Sequence, residues 1–267
     1  FLVSILVLAY SFTILRIKFS NLYLAWSRRK IEIDWNFWKS TIKEALPFGL
    51  AIIFTTTFYW IDSVMLSLMK GYAVVGWYNA AYRVVLTILF IPAAYSFAIF
   101  PVMSNFYITS QGSLRLVFEK SFKYLTMLGV PIAVGTTLLA PRFILLIFGE
   151  EYNNSIIALQ ILVWSSVFIF MVTSFSRLFQ ASNKQIISAK IAGICVALNV
   201  VLNLILIPKY SLIGASIATV LTEFLSLALS FMWGLKIGYA ILNRKLAGIV
   251  TRILISSALM GIFITYF

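Results

Sequence analysis

The chain has 267 residues, of which 62% are hydrophobic and 11% are charged, and its formal net charge is +13. Soluble domains carry about 45–50% apolar and about 25% charged residues, so this composition excludes an ordinary soluble protein and indicates several membrane-spanning helices. The sequence has no histidine and one cysteine, Cys195, which argues against Ser-His catalysis, zinc or haem sites and a disulfide framework.

Eight apolar stretches are long enough to cross a membrane as helices. In chain order they are residues 1–26, 46–69, 77–103, 122–140, 156–179, 186–207, 212–235 and 246–267. Pro47 is expected in a first helical turn, and Gly71 and Gly76 are expected to bracket a short turn. The predicted fold is therefore an all-α integral membrane protein, a polytopic bundle of about eight transmembrane helices.

Lysine and arginine residues are concentrated in alternate loops. The loops after the first, third, fifth and seventh stretches carry 17 of them, whereas the opposite side carries only Lys70, Arg142 and Lys209. This asymmetry is typical of the positive-inside rule and assigns the basic side to the cytoplasm. It explains the net charge without a nucleic-acid partner and predicts a multi-pass protein of the cytoplasmic membrane.

The chain begins at Phe1, inside an apolar stretch and, by this orientation, on the non-cytoplasmic side. A chain that enters the membrane from that side, without the basic flank of a signal peptide, is expected when earlier helices precede it in the sequence. We therefore expect the sequence to be the later portion of a longer membrane protein.

Residues 27–45 form the long polar connection between the first two stretches. Aromatic and basic side chains are interleaved in it, namely Trp35, Phe37 and Trp38 with Arg28, Arg29, Lys30, Lys39 and Lys43. Such a composition is typical of a segment at the level of the lipid headgroups. We interpret it as a cytoplasmic interfacial linker, and a specific site for a lipid headgroup or a partner is the alternative.

From residue 45 onwards a series of short motifs resembles a known family. They are ALPFG at 45–49, WID at 60–62, VGWYNAAYR at 75–83, FGEEY at 148–152, LFQASNK at 178–184, LNVVLNLILIP at 198–208 and GASIAT at 214–219. In order and spacing, the region from about residue 46 to residue 230 is similar to the polysaccharide exporters that flip lipid-linked oligosaccharides. These belong to the multidrug/oligosaccharidyl-lipid/polysaccharide exporter superfamily.

The resemblance implies two six-helix lobes around a cleft that opens alternately to the two membrane faces. Residues 1–26 would then be the last helix of an otherwise missing N-terminal lobe, 46–235 the C-terminal six-helix lobe, and 246–267 an additional transmembrane helix. The implied partners are membrane lipid, a lipid-linked glycan substrate and the missing lobe. No cofactor is expected, although coupling to a Na⁺ or H⁺ gradient is left open.

Charged residues inside predicted spans are costly and usually face a cavity or a partner, and three of them stand out: Asp62, Arg83 and Glu223. Asp62 and Arg83 lie at similar depths on consecutive helices, so an ion pair between them is geometrically possible. Alternatively, Arg83 meets a pyrophosphate group of the substrate or reaches the nearby interface. Glu223 is a candidate for coupling to a cation gradient.

Polar uncharged residues within the spans are further candidates for the transport pathway. Glu223 lies in a helical stripe with Ser216, Thr219, Ser226 and Ser230, which would line the cleft or form a packing seam. Asn199 and Asn203 share a helical face, and Gln180 lies near a helix end. These amides, and Asn79 in the VGWYNAAYR motif, would bind sugar hydroxyls or neighbouring helices.

The predicted function is the flipping of lipid-linked oligosaccharide or polysaccharide precursors by alternating access, without enzymatic activity. One alternative is a cation-coupled multidrug exporter of the same superfamily. Another is an integral-membrane polymerase or glycosyltransferase, but the predicted outer loops offer only Glu150 and Glu151 as a close acid pair.

Overall fold

A computed structural model of the chain describes residues 7, 10–14, 34–239 and 244–266. These residues are helical and include no strand, which confirms the all-α prediction. From residue 34 onwards the α-helices are α1 (Trp35–Lys70), α2 (Tyr72–Ile88), α3 (Phe90–Thr109), α4 (Gln111–Phe148), α5 (Ser155–Ala181), α6 (Gln185–Lys236) and α7 (Arg244–Tyr266), with a 3₁₀ turn at Glu150–Tyr152. Most of the first predicted stretch and residues 27–33 lie outside the described residues.

Five helical runs of the described chain are long and apolar enough to cross a membrane, namely Ile52–Lys70, Tyr72–Thr109, Gln111–Phe148, Ser155–Ala181 and Gln185–Lys236. The last has 52 residues and contains a break at Ser211, whose φ of 54° and ψ of −132° are not helical. At 1.5 Å per residue it would be about 78 Å long, more than twice the hydrocarbon thickness of a bilayer. It therefore forms two crossings, and residues 52–236 make six.

The chain is thus a multi-pass membrane protein, and its helices are longer than the apolar stretches from which they were predicted. The predicted stretch 122–140 is the middle of α4, which has 38 residues. Gly76 lies inside α2 rather than in the turn, which is made at Gly71 with a φ of 88°. Glycine reaches this backbone conformation without the steric cost that a side chain adds.

Helix α1 begins earlier than predicted because Asp34 caps its first turn. The Asp34 carboxylate accepts hydrogen bonds from the backbone N–H groups of Asn36 at 2.9 Å and Phe37 at 3.2 Å. The helix then continues through position 47, so the expectation that Pro47 lies in a first turn is wrong. Trp35, Phe37 and Trp38 are exposed on the first turn, and the interfacial role of this segment stays a prediction.

Hydrogen bonds show that successive turns of the chain lie at opposite ends of the helices. At one end, the Lys70 Nζ donates to the Pro208 carbonyl at 2.8 Å, and the Trp77 indole donates to the Glu151 carbonyl at 3.0 Å. At the other, the Tyr239 hydroxyl donates to Gln111 Oε1 at 2.6 Å. We call these the Lys70 end and the Gln111 end, and the cytoplasmic assignment of the Gln111 end stays a prediction.

The chain divides into two compact units, residues 1–45 and 46–267. Within the second unit, α5 is the central helix. Half of its most apolar 18-residue stretch is buried, compared with 28% or less of the corresponding stretch in the other four membrane-spanning runs. Gly129 of α4 lets this packing become close, since a Cβ there would lie 3.2 Å from the Phe170 ring. Helix α7 packs against α4 beside Val134 and Leu138.

Candidate functional site

Asp62 is the centre of a buried polar cluster on the side of the helices towards the Lys70 end. Its side chain is 3% exposed. The carboxylate accepts hydrogen bonds from Tyr78 Oη at 2.7 Å, Thr219 Oγ1 at 2.6 Å and Asn203 Nδ2 at 2.5 Å. Four helical segments therefore converge on one acid: α1, α2 and the two halves of α6. We call these residues, together with Asn199, the Asp62 cluster.

Asn199 extends this cluster along the first half of α6. Asn203 Nδ2 also donates to Asn199 Oδ1 at 2.9 Å, which confirms that the two amides share a helical face. Both side chains are fully buried. Within the described chain, however, Asn203 Oδ1 and Asn199 Nδ2 have no hydrogen-bond partner. Buried polar atoms are almost always paired, so these two amides are the incompletely satisfied part of the cluster.

The ion pair considered between Asp62 and Arg83 is not formed. Arg83 is exposed, whereas the α2 residue that reaches the acid is Tyr78, five positions earlier. At about 100° per residue, five positions place Arg83 about 140° around the helix from Tyr78. Asn79 does not bind Asp62 either. Its Oδ1 accepts a hydrogen bond from Ser63 Oγ at 2.8 Å instead.

A row of tyrosines leads from the Asp62 cluster along α1 and α2. The rings of Tyr78 and Tyr82 are stacked with centroids 5.9 Å apart, and the rings of Tyr82 and Tyr59 are 6.4 Å apart. Tyr59 also lines a large cavity nearer the Gln111 end. The cluster and the cavity are therefore neighbours, separated by aromatic side chains.

This cavity has a volume of about 640 Å³ and is lined by α1, the junction of α2 and α3, α5 and both halves of α6. Its polar lining consists of Glu223, Arg177, Gln180, Gln185, Tyr59 and several hydroxyls, with Thr56, Ser96, Thr173, Ser176, Ser188, Ser226 and Ser230 among them. Ligand sites of this size combine an apolar wall with a few polar groups. We call it the central cavity.

The polar stripe predicted on the second half of α6, from Ser216 to Ser230, contributes to both the Asp62 cluster and the central cavity. Glu223, Ser226 and Ser230 line the central cavity, as expected for a cleft-lining face. Thr219 bonds Asp62 instead, and Ser216 is fully buried with its hydroxyl bonded to the Leu212 carbonyl at 2.8 Å. The stripe is thus a helix-packing seam near Ser211 and a cavity wall further along. Glu223 is 9% exposed.

Arg177 also lines the cavity, although by sequence it is one of the 17 cations counted in the basic, alternate loops. It lies one turn before the end of α5, and its Nη1 donates to Gln180 Oε1 at 2.6 Å. The signal that could have identified it is a polar face on an otherwise apolar helix. This face repeats at helical spacing and lines the cavity, and it consists of Thr173, Ser176, Arg177 and Gln180.

These geometries suit two kinds of chemistry. The Asp62 cluster presents carboxylate, amide and hydroxyl oxygens from separate helices, which is the donor set that hard cations prefer. In the described residues no group of three His, Cys, Asp or Glu side chains forms a transition-metal site. The central cavity presents amides and hydroxyls with one carboxylate and one guanidinium, a lining able to hydrogen-bond a polar headgroup.

Comparisons with known proteins are consistent with a transporter. A family model described as polysaccharide biosynthesis protein matches residues 6–157. The probable flippase AglR of Haloferax volcanii is 28% identical over 170 residues, which are 62% of this chain and 36% of that protein. The capsular polysaccharide biosynthesis protein CapF of Staphylococcus aureus is 28% identical over 117 residues, 42% of this chain and 30% of that protein.

Solved structures resemble the chain in fold. The lipid II flippase MurJ, in an inward closed conformation, superposes with a TM-score of 0.72 at 16% identity, over 90% of this chain and 50% of that one. A protein described as a MOP superfamily transporter from Pyrococcus furiosus gives a TM-score of 0.64 at 18% identity, over 82% of this chain and 51% of that one. The chain spans about a third of the length of the curated relatives that it matches first.

Proposed function

This chain belongs to the polysaccharide biosynthesis protein family, and on that premise we propose that it is part of a transporter that flips lipid-linked oligosaccharide or polysaccharide precursors across the cytoplasmic membrane. The six crossings, five of which line the central cavity, form one lobe of this transporter. A second lobe of the same protein faces it, and the cleft between them opens alternately to the two sides. The relatives named as flippases support the same reading.

The observation that carries this proposal is the mixed lining of the central cavity. Glycan headgroups offer many hydroxyls, so they need amides and hydroxyls at several positions rather than one strong charge. Gln180, Gln185 and Glu223 provide such groups from α5 and α6, at different depths of the membrane. The lipid tail stays in the bilayer while the headgroup passes along this lining. The step breaks no covalent bond.

We further propose that the Asp62 cluster couples transport to a cation gradient. A monovalent cation held by Asp62, Asn199, Asn203 and Thr219 would give the buried carboxylate the positive partner that it lacks among the described residues. Rotating the Asn203 amide by 180° would turn its unpartnered oxygen towards the acid. The cluster can therefore change from a state in which Asn203 donates a hydrogen bond to Asp62 to a state in which both side chains present oxygen ligands to a cation. Na⁺ fits this ligand set.

The function is tested by deleting the gene for the full-length protein and measuring which leaflet holds the lipid-linked glycans. We expect them to accumulate in the cytoplasmic leaflet, inaccessible to an impermeant lectin, and to return to the outer leaflet after complementation. Unchanged exposure in the deletion strain would overturn the proposal. Loss of the glycans from both leaflets would instead indicate an enzyme that synthesises them.

Coupling is tested separately in proteoliposomes with an imposed Na⁺ or H⁺ gradient. We expect the Asp62→Asn variant to lose gradient-driven transport, because the neutral amide no longer balances a cation. The matched control is Asp34→Asn, which alters an exposed helix-capping acid. If Asp62→Asn keeps the gradient dependence of the parent protein, this acid does not couple transport.

A further inference from the structure

The central cavity contains one guanidinium group, and its hydrogen-bonding capacity is only partly used. Arg177 is half-buried in the lining, with Nη1 directed to Gln180. Its Nε is buried and has no hydrogen-bond partner in the described part of the chain. A guanidinium has five N–H donors in a rigid fork and stays protonated in proteins. Arg177 is therefore a fixed cation with a free donor inside a membrane-spanning segment.

No carboxylate neutralises this cation among the described residues. The ion pair found there joins Arg115 to Glu119, both on α4. The acid of the central cavity, Glu223, lies 13 residues from the end of α6, whereas Arg177 lies four residues from the end of α5. At 1.5 Å per residue these positions are about 20 Å and about 6 Å from the Gln111 end. The cavity is thus basic close to the Gln111 end and acidic further from it.

A purely structural arginine would be arranged differently. An arginine that reaches for water extends its head to the interface, but the Nε of Arg177 is buried and its Nη1 is held by the neighbouring amide. Cations within membrane-spanning helices are normally paired or face a cavity. The Ser188 hydroxyl, also in the lining, is a second buried polar atom without a partner in the described chain. Both unpaired groups belong to the same cavity.

We propose that Arg177 binds a phosphate oxygen of a lipid-linked substrate at the Gln111 end of the central cavity, with Gln180 as the positioning residue. The inference rests on the proposed function and names the chemical group that this site recognises. A depth of about 6 Å from the helix end corresponds to the boundary where the phosphate of such a lipid lies while its tail remains in the bilayer. Arginine suits phosphate because its fork donates two parallel hydrogen bonds.

Arg177 thereby takes the role for which the sequence offered Arg83. Arg83 is exposed on α2 and is absent from the cavity lining. Glu223 would repel the same anion, so the phosphate is held near the Gln111 end while the neutral glycan occupies the deeper amide- and hydroxyl-lined part. The cavity therefore selects the orientation of its substrate as well as its charge.

The test is binding of a polyprenyl diphosphate to the full chain purified in detergent, measured by native mass spectrometry. Polyprenyl alcohol of the same length and phosphatidylglycerol are the comparison lipids. We expect the diphosphate to bind better than both, and Arg177→Gln to lower its affinity about tenfold. Arg177→Lys keeps the positive charge but not the forked donors of the guanidinium, so its affinity for the diphosphate should fall less. Arg142→Gln, at an exposed arginine outside the cavity, should change nothing.

Thermal unfolding without lipid separates binding from a structural role. A site for a ligand predicts that Arg177→Gln unfolds at the same or a higher temperature, because a half-buried charge without an ion-pair partner in the described chain is removed. A clear loss of stability would overturn the inference, as would equal affinities of parent and Arg177→Gln for the diphosphate, or of the parent for all three lipids. An affinity loss in Arg83→Gln instead would move the phosphate site to that residue. In each case the leaflet assay still decides the proposed function independently.

Discussion

The hydroxyl of Thr219 lies 2.6 Å from the Asp62 carboxylate, across a helix–helix contact between α6 and α1. One turn further along α6, Glu223 lines the central cavity. The proposed cation site and the substrate cavity therefore share one stretch of rigid helix. A movement of that stretch changes both sites together, which is the physical requirement for coupling between them.

The Thr219 contact is tested with Thr219→Val, which keeps the shape of the side chain and removes the donor. We expect a loss of about 1–3 kcal/mol in stability, because a buried carboxylate loses a hydrogen bond. Gradient-driven transport should weaken as well. The matched control is Thr222→Val, since Thr222 is equally buried but its hydroxyl bonds only the Ala218 carbonyl of its own helix. Equal unfolding temperatures for the two variants would contradict the prediction.

Glu223 is tested with Glu223→Gln. Its side chain lines the cavity without an ion-pair partner in the described chain, so neutralising it should leave the fold intact and alter transport. We expect unfolding at an unchanged or higher temperature and a changed dependence of transport on external pH or Na⁺. Glu119→Gln, at a surface acid paired with Arg115, should behave as the parent does. A Glu223→Gln variant with unaltered transport and pH dependence would rule out a coupling role.

The close contact between the two halves of α6 is tested with Gly214→Ala. A Cβ at this position would collide with the backbone carbonyl of Leu206, which cannot move aside as a flexible side chain can. We expect destabilisation of about 3 kcal/mol or low expression, measured by thermal unfolding and yield. Gly76→Ala is the control, because nothing lies within 4 Å of a Cβ there. If both variants unfold like the parent, the close contact is not required.

Occupancy of the central cavity is tested by alkylation of Cys195, the one cysteine of the sequence, which lines this cavity. We expect N-ethylmaleimide to modify it slowly, since it is 5% exposed, and more slowly still with lipid-linked glycan present. The control is Leu204→Cys in a Cys195→Ser background, because Leu204 is 53% exposed. Equal protection at both positions would mean that the lipid shields the protein generally and does not enter the cavity.

The sequence predicted the six crossings within residues 52–236, and their order, because each needs an apolar run of a set length and the alternation of basic loops constrains the count. It also singled out Asp62, Asn203 and Thr219 individually, as polar residues inside spans. It could not pair them, since the distances from Asp62 to Asn203 and Thr219 in the chain, 141 and 157 residues, leave the contacts to tertiary packing.

Arg177 shows why a correct rule can hide a functional residue. Counting cations near helix ends assigns it to the cytoplasmic side, and its depth agrees with that assignment. Because the positive-inside rule already accounts for Arg177, it does not stand out as a charged residue within a membrane span. Only the three-dimensional structure shows that its side chain turns inward to Gln180, because rotamer choice at a helix end is not encoded in hydropathy.

The break at Ser211 gives the last two crossings a mechanical property. Asn203 and Thr219 each lie eight residues from Ser211, so both contact Asp62 at the same distance from the bend. The far end at Gln185 is 26 residues away, about three times as far along the helix axis. A change of 1 Å in the separation of the two arms at Asp62 would thus become a change of about 3 Å at the Gln111 end, as in a lever with its fulcrum at Ser211.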